Sequence, residues 1–246
     1  MAKQKINRID AFDLVPGRMI GRKYRVLSSL GGGWEGEVYK VLEVATGIER
    51  AAKLFYPQRN IRDLSAKLYA KKLHKLQACS ILIHYHTQET LIFRKTPVTV
   101  LISEYVEGEL LSRFLQRFPQ KRLDAYKALH LLYALVKGIE DIHLRGEYHG
   151  DLHTDNIIVN KYGLAFDLKL VDMFNIKAPK RENRKEDICG LIQVFHECLG
   201  GSKYYARQPK GVKTICSGLK RSLIAKKFRN ISMLREHLED MDWLNG

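Results

Sequence analysis

His149-Gly150-Asp151-Leu152-His153-Thr154-Asp155-Asn156-Ile157-Ile158-Val159 is the stretch on which the reading of this chain turns. A polar loop runs into a short β-branched strand at Ile157–Val159. An aspartate five residues ahead of an asparagine lets one loop supply a carboxylate that orients a hydroxyl and an amide that binds a metal. Next comes Leu168-Lys169-Leu170-Val171-Asp172-Met173-Phe174, where a second strand delivers another carboxylate. Magnesium prefers a few hard oxygen ligands and keeps room for phosphates and water. Asn156 and Asp172 meet that need. The spacings of His143, His149 and His153 match no helical histidine pair, which makes a histidine metal site the weaker reading. Asp155 has the plainer role of capping or solvating the loop.

Further upstream, Leu30-Gly31-Gly32-Gly33-Trp34-Glu35-Gly36-Glu37-Val38 fits Gly-x-Gly-x-x-Gly-x-Val between two β-rich runs, Tyr24–Leu30 and Glu37–Val44. A turn with so little side-chain bulk lets backbone N–H groups approach phosphate oxygens. A dinucleotide-binding fingerprint would lead from its glycines into a helix, whereas Glu-Val-Tyr-Lys-Val-Leu is β-like. Taken alone, the motif reads equally well as a glycine-rich hairpin. A third strand, Glu49–Phe55, carries Lys53, a candidate for neutralising the inner phosphates of a nucleotide. By itself it is one lysine in a chain rich in them.

Outward from these motifs the chain divides by period. Up to about Glu104 it reads mostly as strands, including Ser80–Tyr85 and Val98–Glu104. One helix interrupts them from Asn60 to about Ala78, with Leu64, Leu68, Leu73 and Leu76 at helical spacing. Beyond a joint near Tyr105–Gly108 the chain is mainly helical. Leu129, Leu132, Leu135, Val136, Ile139 and Ile142 form one wide apolar stripe over Ala125–Leu144. Further helices are expected over Glu186–Leu199 and in two shorter C-terminal stretches.

The 246 residues are 45% apolar and 28% charged, enough for a sizeable core in one domain or two closely packed lobes. No apolar run approaches the roughly 18–20 residues that span a bilayer, and the basic N-terminus has no apolar segment behind it. Cys79, Cys189, Cys198 and Cys216 form no Cys-x-x-Cys pair. A cytoplasmic setting is expected. Lysine and arginine outnumber acids 42 to 27, for a formal charge of +15. Such a surface attracts anions: nucleotide, an acidic protein partner, nucleic acid or an anionic membrane surface, or it serves solubility alone. Lys67, Lys71 and Lys75 fall on one helical stripe, but no aromatic residues interleave as a nucleic-acid stacking platform requires.

Taken in order, these motifs resemble the protein kinase superfamily. The opening Tyr24-Arg25-Val26-Leu27 … Gly36-Glu37-Val38-Tyr39-Lys40 resembles bacterial members of the eukaryotic-type serine/threonine kinases. The resemblance runs from about Tyr24 to Leu199. It implies an α+β, two-lobed fold in a single domain over 1–246: a β-rich N-lobe (20–104), a hinge (105–108) and an α-helical C-lobe (109–246) with a shortened activation segment. It further implies ATP and Mg2+ as cofactors and a protein or small-molecule hydroxyl as acceptor. Gly31, Gly33 and Gly36 would approach the phosphates and Lys53 would hold them. Val38, Ala51 and Ile158 would sandwich the adenine, with the backbone of Glu104 and Val106 on its edge. Asp151 would be the catalytic base and Asn156 and Asp172 the magnesium ligands. Asp187, in Lys185-Glu186-Asp187-Ile188-Cys189-Gly190-Leu191, would brace the catalytic loop.

Four departures qualify the resemblance. The helix after Lys53 lacks the family's glutamate and shows Lys67, Lys71, Lys72 and Lys75, so Asp63 or a residue elsewhere must pair with Lys53, or the lysine sits differently. That gap keeps a non-catalytic binding module among the readings. Asp172-Met173-Phe174 stands where the family has Asp-Phe-Gly, and Gly150 replaces the arginine that greets a phosphorylated activation loop. Asn175 to Glu186 contains no Ser, Thr or Tyr, so activation by phosphorylation there is not expected. Finally, His153 gives Asp-x-His-x-x-Asn, which is similar to the aminoglycoside and choline phosphotransferases.

Overall fold

In the computed structural model, which describes residues 8–163, 165–173 and 179–241, strands form where β-branched and aromatic residues alternate with polar ones. Two units divide the chain: one runs to Gln77 and resumes over Ile83–Val106, and the other takes Ala78–Leu82 and resumes at Glu107.

The first unit is a sheet with one helix. Its strands are β1 (Met19–Ile20), β2 (Tyr24–Gly32), β3 (Gly36–Glu43), β4 (Glu49–Phe55), β5 (Tyr85–Phe93) and β6 (Thr96–Glu104), with helix α1 (Leu64–Lys75) after β4. They pair antiparallel in the order β1-β2-β3-β4-β6-β5. One face buries Tyr24, Val26, Tyr39, Val41, Ala52, Leu54, Val100 and Ile102. Ile9, Phe12 and Leu14, upstream of every strand, complete that core, and the Phe12 ring stacks on Tyr56 at 5.3 Å. Since side chains alternate along a strand, Val38, Ala51 and Lys53 fall on the opposite face, each half-buried.

Two expectations differ from this unit. The strand expected over Ser80–Tyr85 does not form. Ile81, Leu82 and Ile83 are buried as side chains, and only Leu82 makes a bridge, with Leu170 of the second unit's own sheet. The actual strand starts at Tyr85 and alternates exposed with half-buried or buried residues. The helix expected over 60–78 is shorter at both ends. Arg62 and Asp63 take left-handed backbone conformations, and a 3-10 turn (Ile61–Asp63) precedes α1. The Asn60 side-chain oxygen accepts from the N–H of Ala66 at 3.1 Å and anchors that entry.

The second unit comprises β7 (Glu109–Leu110), α2 (Leu111–Leu115), α3 (Ala125–Leu144), β8 (Ile157–Tyr162), β9 (Phe166–Leu170), α4 (Lys180–Cys198), α5 (Ser202–Tyr205), α6 (Lys210–Cys216), α7 (Arg221–Lys227) and α8 (Ile231–Glu239). The long α3 has its expected bounds. Its N-cap Asp124 accepts from the N–H of Lys127 at 2.9 Å, and its stripe from Ala128 to Ile142 is buried. Helix α4 begins six residues before the expected Glu186, because Lys180–Lys185 is charged and shows no apolar period. Beyond it lie four short helices rather than two. A three-stranded sheet, β7-β8-β9, carries the loop quoted first, which ends in a 3-10 turn at Thr154–Asn156.

Candidate active site

In the second unit, the buried carboxylate of Asp187 on α4 organises the loop at 149–156. It accepts the backbone N–H of His149 at 2.8 Å on one oxygen and that of Gly150 at 2.8 Å on the other. Nε2 of His143, on α3, lies 2.9 Å from the first oxygen. A buried carboxylate costs heavily unless its lone pairs are satisfied, and here the loop's own backbone satisfies them. The expected brace at Asp187 is therefore present as hydrogen bonds.

His149, fully buried, has a positioning role rather than that of a metal ligand. Its Nδ1 accepts the N–H of Asp151 at 3.3 Å, so its Nε2 carries the proton and donates to the carbonyl of Val171 at 3.0 Å. One imidazole thus ties Asp151, the loop carboxylate residue itself, to the residue before Asp172. Nothing in the sequence spacing signalled this.

Asp151 is exposed, with Asn156 buried beside it. The Asn156 amide nitrogen donates to the Asp151 carbonyl at 2.8 Å and to its carboxylate at 3.3 Å. That leaves the amide oxygen as the donor atom for a cation. The backbone carbonyl of Asn156 accepts the N–H of Val171 at 3.0 Å, bringing Asp172 to the same loop. Asp172 has a left-handed φ of 55°, which turns the chain directly after β9. One amide oxygen and one carboxylate form a hard donor set that fits magnesium as a partly hydrated ion. Among the described residues no cluster of three or more His, Cys, Asp or Glu could hold a metal. His153 Nε2 stands 3.6 Å from the Asp151 carboxylate. Asp155 receives a hydrogen bond from the Ser112 hydroxyl, a structural tie. Ile158 is half-buried on β8 between buried Ile157 and Val159. Phe174 and the segment to 178, the first four residues of the expected activation segment (175–186) among them, lie outside the described residues.

In the first unit, residues 33–35 close the hairpin between β2 and β3, and Gly33 N–H donates to the Gly36 carbonyl at 2.8 Å. A Cβ on Gly36 would lie 1.8 Å from the Leu54 carbonyl oxygen, so only glycine lets this hairpin rest on β4. Val38 pairs in register with Lys53, and Ala51 with Ser103. Lys53 Nζ forms an ion pair with Glu35 at 3.0 Å and lies over the Tyr69 ring at 4.9 Å. Asp63, the alternative named from the sequence, accepts instead from the Asn60 amide at 3.1 Å and from the Thr99 hydroxyl. Glu35 and Tyr69 are thus functional candidates that sequence reasoning missed, since only the folding of the hairpin loop and of α1 against β4 brings them to Lys53. Glu104 ends β6, and its N–H donates to the His84 carbonyl at 2.8 Å; Val106 follows it. Lys67, Lys71 and Lys75 are exposed along α1, and Lys72 is buried.

Residues 24–206 match the model of the protein kinase domain family. The chain is 29% identical over 151 residues to the serine/threonine-protein kinase Pkn2 of Myxococcus xanthus, an alignment covering 61% of this chain but 18% of that protein. It is 26% identical over 238 residues to the "Probable serine/threonine-protein kinase YbdM" of Bacillus subtilis, covering 90% of both. Among solved structures, the kinase domain of PknI from Mycobacterium tuberculosis superposes with a TM-score of 0.66 at 18% identity, covering 92% of this chain and 99% of that one. That superposition shows the fold, a β-sheet lobe and a helical lobe.

Proposed function

We propose, because this chain belongs to the protein kinase domain family, that it transfers the γ-phosphoryl group of ATP to a serine or threonine hydroxyl of a protein. The family works with ATP and magnesium. The observation that carries the reading is the loop held by Asp187: two backbone hydrogen bonds at 2.8 Å present an exposed carboxylate, Asp151, with its neighbour Asn156 locked against it.

Phosphoryl transfer asks a protein mainly for positioning and charge neutralisation. In this reading Asp151 orients the acceptor hydroxyl and takes its proton. Asn156 and Asp172 would hold magnesium, which would supply the positive charge that neutralises the phosphates. Lys53 holds the inner phosphates, and the slim backbone at Gly31, Gly33 and Gly36 lets them approach, although the Gly33 N–H is given to the Gly36 carbonyl. Val38, Ala51 and Ile158 cover the adenine, and the backbone at Glu104 and Val106 reads its edge. The four cysteines are free thiols and none of the described helices is long and apolar enough to cross a membrane, in keeping with a cytoplasmic enzyme. The exposed lysines of α1 would suit an acidic protein partner.

A second reading rests on His153, 3.6 Å from the Asp151 carboxylate: a small hydroxylated molecule in place of the protein acceptor. One experiment separates the two. Wild type and Asp151→Asn are incubated with γ-labelled ATP, magnesium and a cell extract, and label is counted separately on protein and in small molecules. Acid-stable label on protein, reduced roughly 10²–10⁴-fold in the variant, is the expected result. Label confined to small molecules moves the acceptor. An unchanged rate in Asp151→Asn removes that residue from the chemistry.

A further inference from the structure

We propose that Glu35, at the tip of the glycine-rich hairpin, is the counter-ion that positions Lys53, taking the role that a helix-borne glutamate would have. The inference deepens the kinase reading and rests on it. Helix α1 offers no candidate: Leu64–Lys75 contains neither Asp nor Glu. What α1 presents to the lysine is the Tyr69 ring, 4.9 Å from Nζ, with the Phe55 ring at 5.4 Å. Aromatic faces attract an ammonium but give it no hydrogen-bond direction. Glu35 gives it one, at 3.0 Å, and both side chains are largely removed from solvent, with 11% of the lysine's and 22% of the glutamate's exposed.

The Glu35 backbone is fixed by contacts other than this pair. Its carbonyl accepts the N–H of Tyr56 at 2.9 Å, directly beyond β4. The Gly33-to-Gly36 hydrogen bond closes the turn around it, and Gly36 rests on the Leu54 carbonyl. The carboxylate is therefore delivered by backbone that β4 itself holds. An ammonium has three donors, and the Glu35 contact fixes the direction of one of them. Placement of the lysine is then coupled to the hairpin that covers the phosphates, and a swing of α1 is not needed to complete it.

The test combines wild type, Glu35→Gln, and the double variant Glu35→Gln/Tyr69→Glu, which returns a carboxylate to Lys53 from the helix. Glu35→Gln is expected to lower kcat/KM for ATP by about 10-fold or more, the scale on which misplaced phosphate contacts act. The double variant should recover a substantial part of that loss. A Glu35→Gln enzyme within two-fold of wild type overturns the proposal. So does one that binds ATP more tightly at unchanged kcat, since Glu35 would then be a gate that nucleotide must displace.

Should Tyr69→Glu fail to fold, a double-mutant cycle on nucleotide binding replaces it. Glu35→Gln should weaken binding in the wild-type background and have no further effect beside Lys53→Met. Equal effects in both backgrounds overturn the proposal. Acylation of Lys53 by an amine-directed reagent, read by mass spectrometry, gives a measure that needs no turnover: it should be faster in Glu35→Gln, and an equal rate denies the pairing. A wild type that neither binds nor turns over ATP refutes the kinase reading instead, and the acylation rate still decides the pair.

Discussion

Glu37 lies one residue beyond the last loop glycine, and its carboxylate is buried. It accepts the N–H of Phe12 at 2.8 Å, the Tyr56 hydroxyl at 2.9 Å and the Tyr39 hydroxyl. The Tyr39 oxygen in turn accepts the N–H of Leu14 at 3.0 Å. Burial first, and then the hydrogen bond to Glu37, raises both phenols, Tyr56 to about 12. Glu37→Ala strands three donors in an apolar layer and should lower unfolding stability by about 2–4 kcal/mol in urea titrations at pH 7. A smaller loss would mean that water enters to replace the carboxylate. The phenols give the pH sign. The folded state holds those protons more tightly than the unfolded chain does. Their contribution is therefore complete below pH ~10 and falls as pH rises toward ~12. In Tyr56→Phe that alkaline decline should be shallower.

At the scale of elements, α3 carries a glycine where propensity alone asks for alanine. Gly138→Ala should add about 1 kcal/mol in an isolated helix. Here a Cβ would meet Ile81 at 2.2 Å at its tip and 2.9 Å at its own Cβ. The substitution should instead lower the melting temperature by several degrees, and Ile81→Ala in the same chain should return part of the loss. A rise in melting temperature on Gly138→Ala would show that the 78–82 segment yields. This contact also explains what the sequence hides. Helix α3 was legible because its apolar stripe is long and uninterrupted. Ile81–Ile83 was not, because a short apolar run buried against a helix looks like a strand. Strand β5 escaped because His86, Gln88 and Glu89 dilute its apolar residues, and the start of α4 because it is polar throughout. The candidate loop at 149–156 was legible from residue types at fixed spacing. Its support by His149 and the Glu35–Lys53 pair was not, since both depend on which strands and loops become neighbours in space.

Across the whole molecule, burial sets thiol behaviour. Cys79, Cys198 and Cys216 are buried and Cys189 is partly so. Burial pushes the Cys79 and Cys216 thiols up to about 12 and raises the other two. Since the thiolate is the nucleophile, the native protein at pH 8 should be alkylated slowly, Cys189 first, and all four should react promptly in denaturant. Fast labelling of Cys198 without denaturant would reveal local opening of α4. The segment around Phe12 bears on where this protein ends as a folding unit. The family match begins at Tyr24, yet Ile9, Phe12, Leu14 and Ile20 belong to the sheet's buried layer. A fragment trimmed to the family boundary would expose the Tyr56 and Phe93 rings against which that layer packs, together with the Glu37 carboxylate. Such a surface is adhesive, so the trimmed protein would precipitate or yield to proteases although every residue of its proposed chemistry were still present.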